Sequence, residues 1–187
     1  MTPFMSLLLP IVLSAVAVFI LASIIHMAMP WHKSDYAKVP DEDGLMAAMR
    51  PFALPPGDYM MPRPTSREDM RSPEFMAKRT RGPVAVMTIM PGGPFSIVPS
   101  MGAWFVFSLL VAAVAACMTG AVHAPGANGH GVFHYAAGIT FLCYAMGEVP
   151  LSIWYGRKWS TTLKNAFDSL LYGVATGLIF MAMWPTS

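Results

Sequence analysis

The sequence predicts an all-α membrane protein, with four transmembrane helices in a bundle and a cytoplasmic loop region of short helices. Three observations predict it. Hydrophobic residues make up 55% of the 187-residue chain and charged residues only 12%, too little charge to keep a soluble domain of this size in solution. Met5 to Met29 runs 25 residues without Lys, Arg, Asp or Glu. Of the twelve Lys and Arg, nine fall between Lys33 and Arg81, and the others are Arg157, Lys158 and Lys164.

The first span occupies 1–29. As a helix, its apolar run extends about 37 Å and crosses a ~30 Å hydrocarbon core with some tilt. Pro30, Trp31, His32 and Lys33 follow: a helix stop, an interfacial ring and the first positive charge, as expected where a helix leaves lipid. Met-Thr-Pro-Phe carries no basic side chain, and the run exceeds a secretory signal core, so the segment is expected to stay as an anchor. Pro10 is expected to bend it near its outer end.

The region 30–100 is polar and rich in Pro. Asp41 can cap a helix over Glu42–Arg50, and Ser72-Pro73-Glu74 opens another that ends near Arg81-Gly82. Ala53 to Pro64 reads as an extended connection punctuated by Pro. Around Pro91-Gly92-Gly93-Pro94, the apolar stretches 83–90 and 95–99 fit a β-hairpin, a segment lying in the membrane interface, or a short re-entrant loop.

The region 101–187 holds three more spans, at about 101–122, 132–155 and 163–184. Four crossings put every basic residue on one side, which the positive-inside rule makes cytoplasmic, with both termini outside. Gly173 and Gly177 form a GxxxG, and Ala112, Ala116 and Gly120 repeat the small-residue spacing. Such residues let helix backbones approach, here more within the bundle than between copies.

Glu148, about 10 Å from the cytoplasmic boundary by residue counting, is the sharpest chemical signal. An intramembrane acid usually faces a helix-lined interior or a wet cavity, and Pro150 should bend the helix beside it. His26 and Asp168 lie at comparable depth, so the three would suit a proton or cation site, including a divalent metal. The plainer reading pairs Glu148 with a neighbour or turns it to the interface. It also makes Asp168 a partner of its helix's N-terminal dipole, with Ser160 or Thr161 as cap.

His123, His130 and His134 form a second, outward cluster and a weaker metal candidate, because Gly129 and Gly131 interrupt the helix and no carboxylate completes the set. Seventeen Met residues raise Cu(I), but they are spread over spans and loop alike. Haem fits poorly, since His26 and His134 sit at opposite ends. Cys117 and Cys143 fall at different depths, which argues against a disulfide and for buried small hydrophobes. No cofactor is expected. With no nucleotide loop, zinc-protease helix or nucleophile elbow, nothing marks an enzyme, and a net charge of +2 gives no reason for nucleic-acid binding.

The stretches Ile24–Tyr36, Pro55–Pro62 and Ser152–Ser160 resemble uncharacterised bacterial inner-membrane proteins of similar size. The resemblance implies a bacterial cytoplasmic membrane and carries over no activity or site residue. Two function classes remain, the first being the expectation and the second the alternative to it. One is a non-enzymatic accessory or scaffold protein that docks a membrane or cytoplasmic partner through 32–100, a region longer than a connector needs. The other is a small transporter or channel that uses Glu148 with His26 or Asp168. Four spans enclose little room, so this second class requires an oligomer.

Overall fold

The computed structural model describes residues 1–187. Four helices are long and apolar enough to cross a membrane: Phe4–Ala28, Val98–Val122, Gly129–Tyr155 and Trp159–Met183. They mark a polytopic membrane protein. The chain divides into two compact units, one of residues 1–37 with 96–187, the other of residues 38–95.

In the first unit, a 3-10 turn over Phe4–Leu7 leads into α1 (Leu8–Ser23), which ends in a π turn over Ile24–Ala28. Pro10 therefore falls in the first turn of α1, where a missing N–H costs little. Pro30 then stops the helix, and a 3-10 turn follows over Trp31–Ser34. The other long helices start earlier than their hydropathy suggests: a proline stands in the first turn of the second and an Asn cap opens the third, while the fourth begins without a side-chain cap. In chain order, the 38–95 unit holds α2 (Glu42–Met49), β1 (Gly57–Met61), α3 (Arg67–Met70), α4 (Pro73–Arg81) and β2 (Ala85–Ile89). Then come α5 (Val98–Val122), with Pro99 in its first turn, and α6 (Gly129–Ala145), which Asn128 caps through the His130 N–H at 2.8 Å. A 3-10 turn over Met146–Glu148 separates α6 from α7 (Val149–Tyr155), where Pro150 denies the backbone its regular bond. The last helix is α8 (Trp159–Met183).

Helix α6 packs along α8, α1 against α5 and α8, and α5 against α6. One core joins Leu7, Ile11, Ala112, Ala116, Val132, Ala136, Phe180 and Trp184. A second, toward the other end, joins Val18, Ala22, Ile25 and Tyr172. The small residues sit in these contacts. A Cβ at Gly173 would lie 2.7 Å from the Ala137 carbonyl oxygen, and one at Gly177 2.8–2.9 Å from Phe133 and Ala137. Only glycine lets α8 come this close to α6. On α5, Ala112 and Ala116 are buried, and Gly120 receives the N-terminal segment: Thr2 N–H donates to the Gly120 carbonyl at 2.8 Å. Cys117 and Cys143 are free and exposed on the helix surfaces rather than buried. The expectation of burial fails there because α5 and α6 turn their other sides to their neighbours.

In the 38–95 unit, the side chains of Asp41 and Ser72 accept the N–H groups of Gly44 and Phe75, at 2.9 and 3.1 Å, and so start α2 and α4 where their sequences place them. Gly82 ends α4 with φ 65°, a conformation glycine adopts without strain. The hairpin between 83–90 and 95–99 is overturned. Strand β2 pairs instead with β1, antiparallel, with Tyr59 opposite Met87. Two physical facts favour this partner. Pro91 and Pro94, both lacking N–H, interrupt any ladder through the tip, and the chain beyond Ile97 is already helix α5. The prolines around Gly57–Met61 flank that strand rather than enter it. Thr88 donates to Asp58 across the pair at 2.6 Å.

Candidate cation site

One end of the first unit gathers most of its buried charge. The π turn holds His26, and the following 3-10 turn carries His32. In a 3-10 helix, side chains three apart eclipse, so Asp35 falls beside His32: Nδ1 and Oδ2 are 2.7 Å apart. The other nitrogen of the ring, Nε2, lies 2.8 Å from Asp168 Oδ2 on α8. His26 Nε2 is 4.0 Å from the same oxygen, and the two imidazoles stand 4.4 Å apart, tilted by 39°. Trp31 packs edge-on against Phe167, holding the turn to α8.

Lys164 closes the cluster from the side. Its ammonium donates to Asp35 Oδ1 at 2.8 Å, to Ser34 Oγ at 2.8 Å and to the Trp31 carbonyl at 2.5 Å. Burial opposes ionisation of Asp35, yet the hydrogen bonds from Lys164 and His32, with their charges, outweigh it and hold the carboxyl below the usual range. Asp168 has no such ammonium. Its side chain is 3% exposed, against 12% for His32 and 49% for His26, and its Oδ1 has no hydrogen-bond partner.

The count of donors fixes what the arrangement can do. A neutral imidazole donates one hydrogen bond, and an ionised carboxylate donates none. His32 faces a carboxylate at each nitrogen. One further cation is therefore needed at the Nε2–Oδ2 contact: a proton on either group, or a metal ion bound by both.

The helix-dipole reading of Asp168 is corrected. Because α8 begins at Trp159, Asp168 lies about two and a half turns inside it, beyond the reach of the terminal dipole. Ser160 and Thr161 cap nothing; the Thr161 hydroxyl instead points to Asp35 Oδ1 at 3.4 Å. Glu148 is paired as the plainer reading has it, accepting from Arg157 Nη1 and, at 3.0 Å, from Asn165 Nδ2. It nonetheless shares a cavity of about 370 Å³ with His26 and Asp168. Trp104, Tyr144 and Tyr172 also line this cavity, and their indole N–H and two phenol hydroxyls lack protein partners.

At the opposite end, His123 sits against Tyr135 and Trp184, with Nδ1 3.2 Å from the Thr119 carbonyl. His123, His130 and His134 make no three-ligand group; the group that does form is His26, His32 and Asp168. Sequence reasoning singled out His26 and Asp168 but gave His32 no role in the site and passed over Asp35 and Lys164. The signal available was His32-x-x-Asp35 directly after a proline stop, a spacing that one tight turn brings together.

Comparison with family models, with curated proteins and with solved structures finds no match to this chain.

Proposed function

We propose that this polytopic protein binds a cation, a proton or a metal ion, at one end of a four-helix membrane bundle, as a small protein of the transporter or channel class. The observation that supports the reading is Asp168: a buried carboxylate on an apolar helix, facing two imidazoles and no ammonium. An uncompensated charge near a helix centre costs about 2.5–3.5 kcal/mol on insertion scales. Such a residue is usually kept for an ion or proton pathway. By the positive-inside rule, the end carrying Asp168 faces the cytoplasm, since Lys33, Arg157, Lys158 and Lys164 lie where the spans of the first unit end on that side. A single copy encloses little room for a pathway, so the reading carries an oligomer with it.

The test is flux. The full chain is reconstituted into liposomes and challenged in turn with a proton gradient and a divalent-metal gradient, each followed by an entrapped indicator dye. The expected result is flux of at least one ion above empty liposomes, lost in Asp168→Asn and kept in His130→Gln. Wild-type vesicles as tight as empty ones to both ions would sink the reading. A second reading, a scaffold that docks a partner, draws on the 38–95 unit, which forms a compact unit with its own two-stranded sheet. Removing 38–95 without changing flux, while losing a stoichiometric co-purifying protein, would favour it.

A further inference from the structure

We infer that the cation at Asp168 is a first-row divalent transition-metal ion, Zn²⁺ being the type, held by His26 Nε2, His32 Nε2 and the Asp168 carboxylate. The inference rests on the cation-binding reading above and names the ion.

Four observations carry it beyond a proton. First, three ligand atoms of the right chemistry converge: two imidazole nitrogens and a carboxylate oxygen lie within 4.8 Å of one another. With metal–ligand bonds of about 2.0–2.2 Å, tetrahedral ligand atoms stand about 3.3–3.5 Å apart. The contacts to Asp168 Oδ2, at 2.8 Å from His32 and 4.0 Å from His26, straddle that spacing. The half-exposed His26 is the ligand that must move in to close the site.

Second, His32 carries the outer partner that metal-bound histidines need. Its Nδ1 is held by Asp35 at 2.7 Å, which fixes the tautomer and turns the Nε2 lone pair toward Asp168. Lys164 fastens Asp35 in turn.

Third, the charges balance for a metal. Lys164 neutralises Asp35, so Asp168 is left as the negative ligand beside two neutral imidazoles. A single proton would satisfy only the His32–Asp168 contact, whereas one divalent ion also engages His26, whose ring stands 4.4 Å from that of His32.

Fourth, three protein ligands leave a coordination position open. His26 and Asp168 both line the 370 Å³ cavity, so that position falls to water or an exchanging ligand from it. Imidazole with carboxylate excludes Mg²⁺ and Ca²⁺, which take oxygen sets, and it lacks the thiolate or thioether that Cu(I) prefers.

The test uses the full chain in detergent, stripped with a chelator and then given Co²⁺ alone, followed by visible absorption, with Zn²⁺ added afterwards to displace it. The expected result is one Co²⁺ per chain, with the intense bands of a low-coordinate nitrogen–oxygen site, released by Zn²⁺. His26→Gln and His32→Gln should each abolish saturable binding, and Asp35→Asn should weaken it about 10–100-fold. His130→Gln should bind as the wild type does. Because His26 is half exposed, its variant is expected to fold even if a change at Asp168 does not, and thermal unfolding in the same detergent checks this. Lack of saturable Co²⁺ and Zn²⁺ binding by the wild type, or wild-type binding by both histidine variants, overturns the inference. If metal fails to bind but proton flux still depends on Asp168, the ion is a proton and the broader reading stands. If neither occurs, both fall.

Discussion

His32 and Asp168 stand 136 positions apart in the chain and meet at 2.8 Å, Nε2 to Oδ2. This contact ties the turn after the first span to the inside of the last helix. It makes the structure of the site inseparable from the packing of α1 and α8.

Removing the ring should therefore cost stability as well as binding. His32→Ala takes from Asp168 its nearest partner, while Oδ1 already has none. A loss of roughly 1–3 kcal/mol is expected for a buried polar group so stranded. Unfolding in mixed micelles measures it, and a variant as stable as the wild type would contradict the contact.

The close approach of α8 to α6 predicts a graded glycine series. Gly173→Ala places a Cβ against the Ala137 carbonyl oxygen, a backbone atom that cannot swing aside. Destabilisation by about 1–3 kcal/mol is expected from such overpacking. Gly138→Ala meets nothing within 4 Å, and it should be neutral or stabilising by up to about 1 kcal/mol through helix propensity. The reverse order of the two in thermal unfolding would mean that the helices do not pack this way.

Ser72→Ala should loosen the 38–95 unit and leave the rest alone. The lost cap on the Phe75 N–H costs about 1 kcal/mol. Hydrogen exchange should quicken in α4 and stay unchanged in α5 and α8.

Acid should act on the same unit through Asp69. Its carboxylate accepts the Thr65 N–H at 2.7 Å and the Thr65 hydroxyl at 3.0 Å, and these bonds hold its pKa below the ordinary 3.8. A group lowered on folding adds stability that is complete above its unfolded pKa and lost as pH falls through the folded value. Protection at Thr65 should thus be pH-independent above the unfolded value of 3.8, fall as pH drops between the two values, and be lost below the folded one. Asp69→Asn should remove the acid transition.

Much of the plan was legible in the chain. Hydropathy marks four spans because twenty or so apolar residues in a row have few other uses, and the caps at Asp41 and Ser72 act through groups only three residues away. Glycine spacing on α8 was readable for the same reason, since a helix repeats its faces regularly. Pairing across distance was not. Strand β2 could be recognised by its β-branched residues, but its partner Gly57–Met61 was hidden between prolines, and the choice between two ladders depends on where α5 begins. The cation site shows the same divide. His26 and Asp168 could be placed at one depth by counting residues, which gives height along a helix axis. Whether they face each other depends on rotation about that axis, and here the π turn at Ile24–Ala28 changes the rotation by an amount no periodicity reports. Composition and local spacing determined that this is a membrane protein with an acid deep in its last helix. Tertiary packing alone decided that His32, from a turn outside the span, would be that acid's closest partner, and that Glu148 would spend its charge on Arg157.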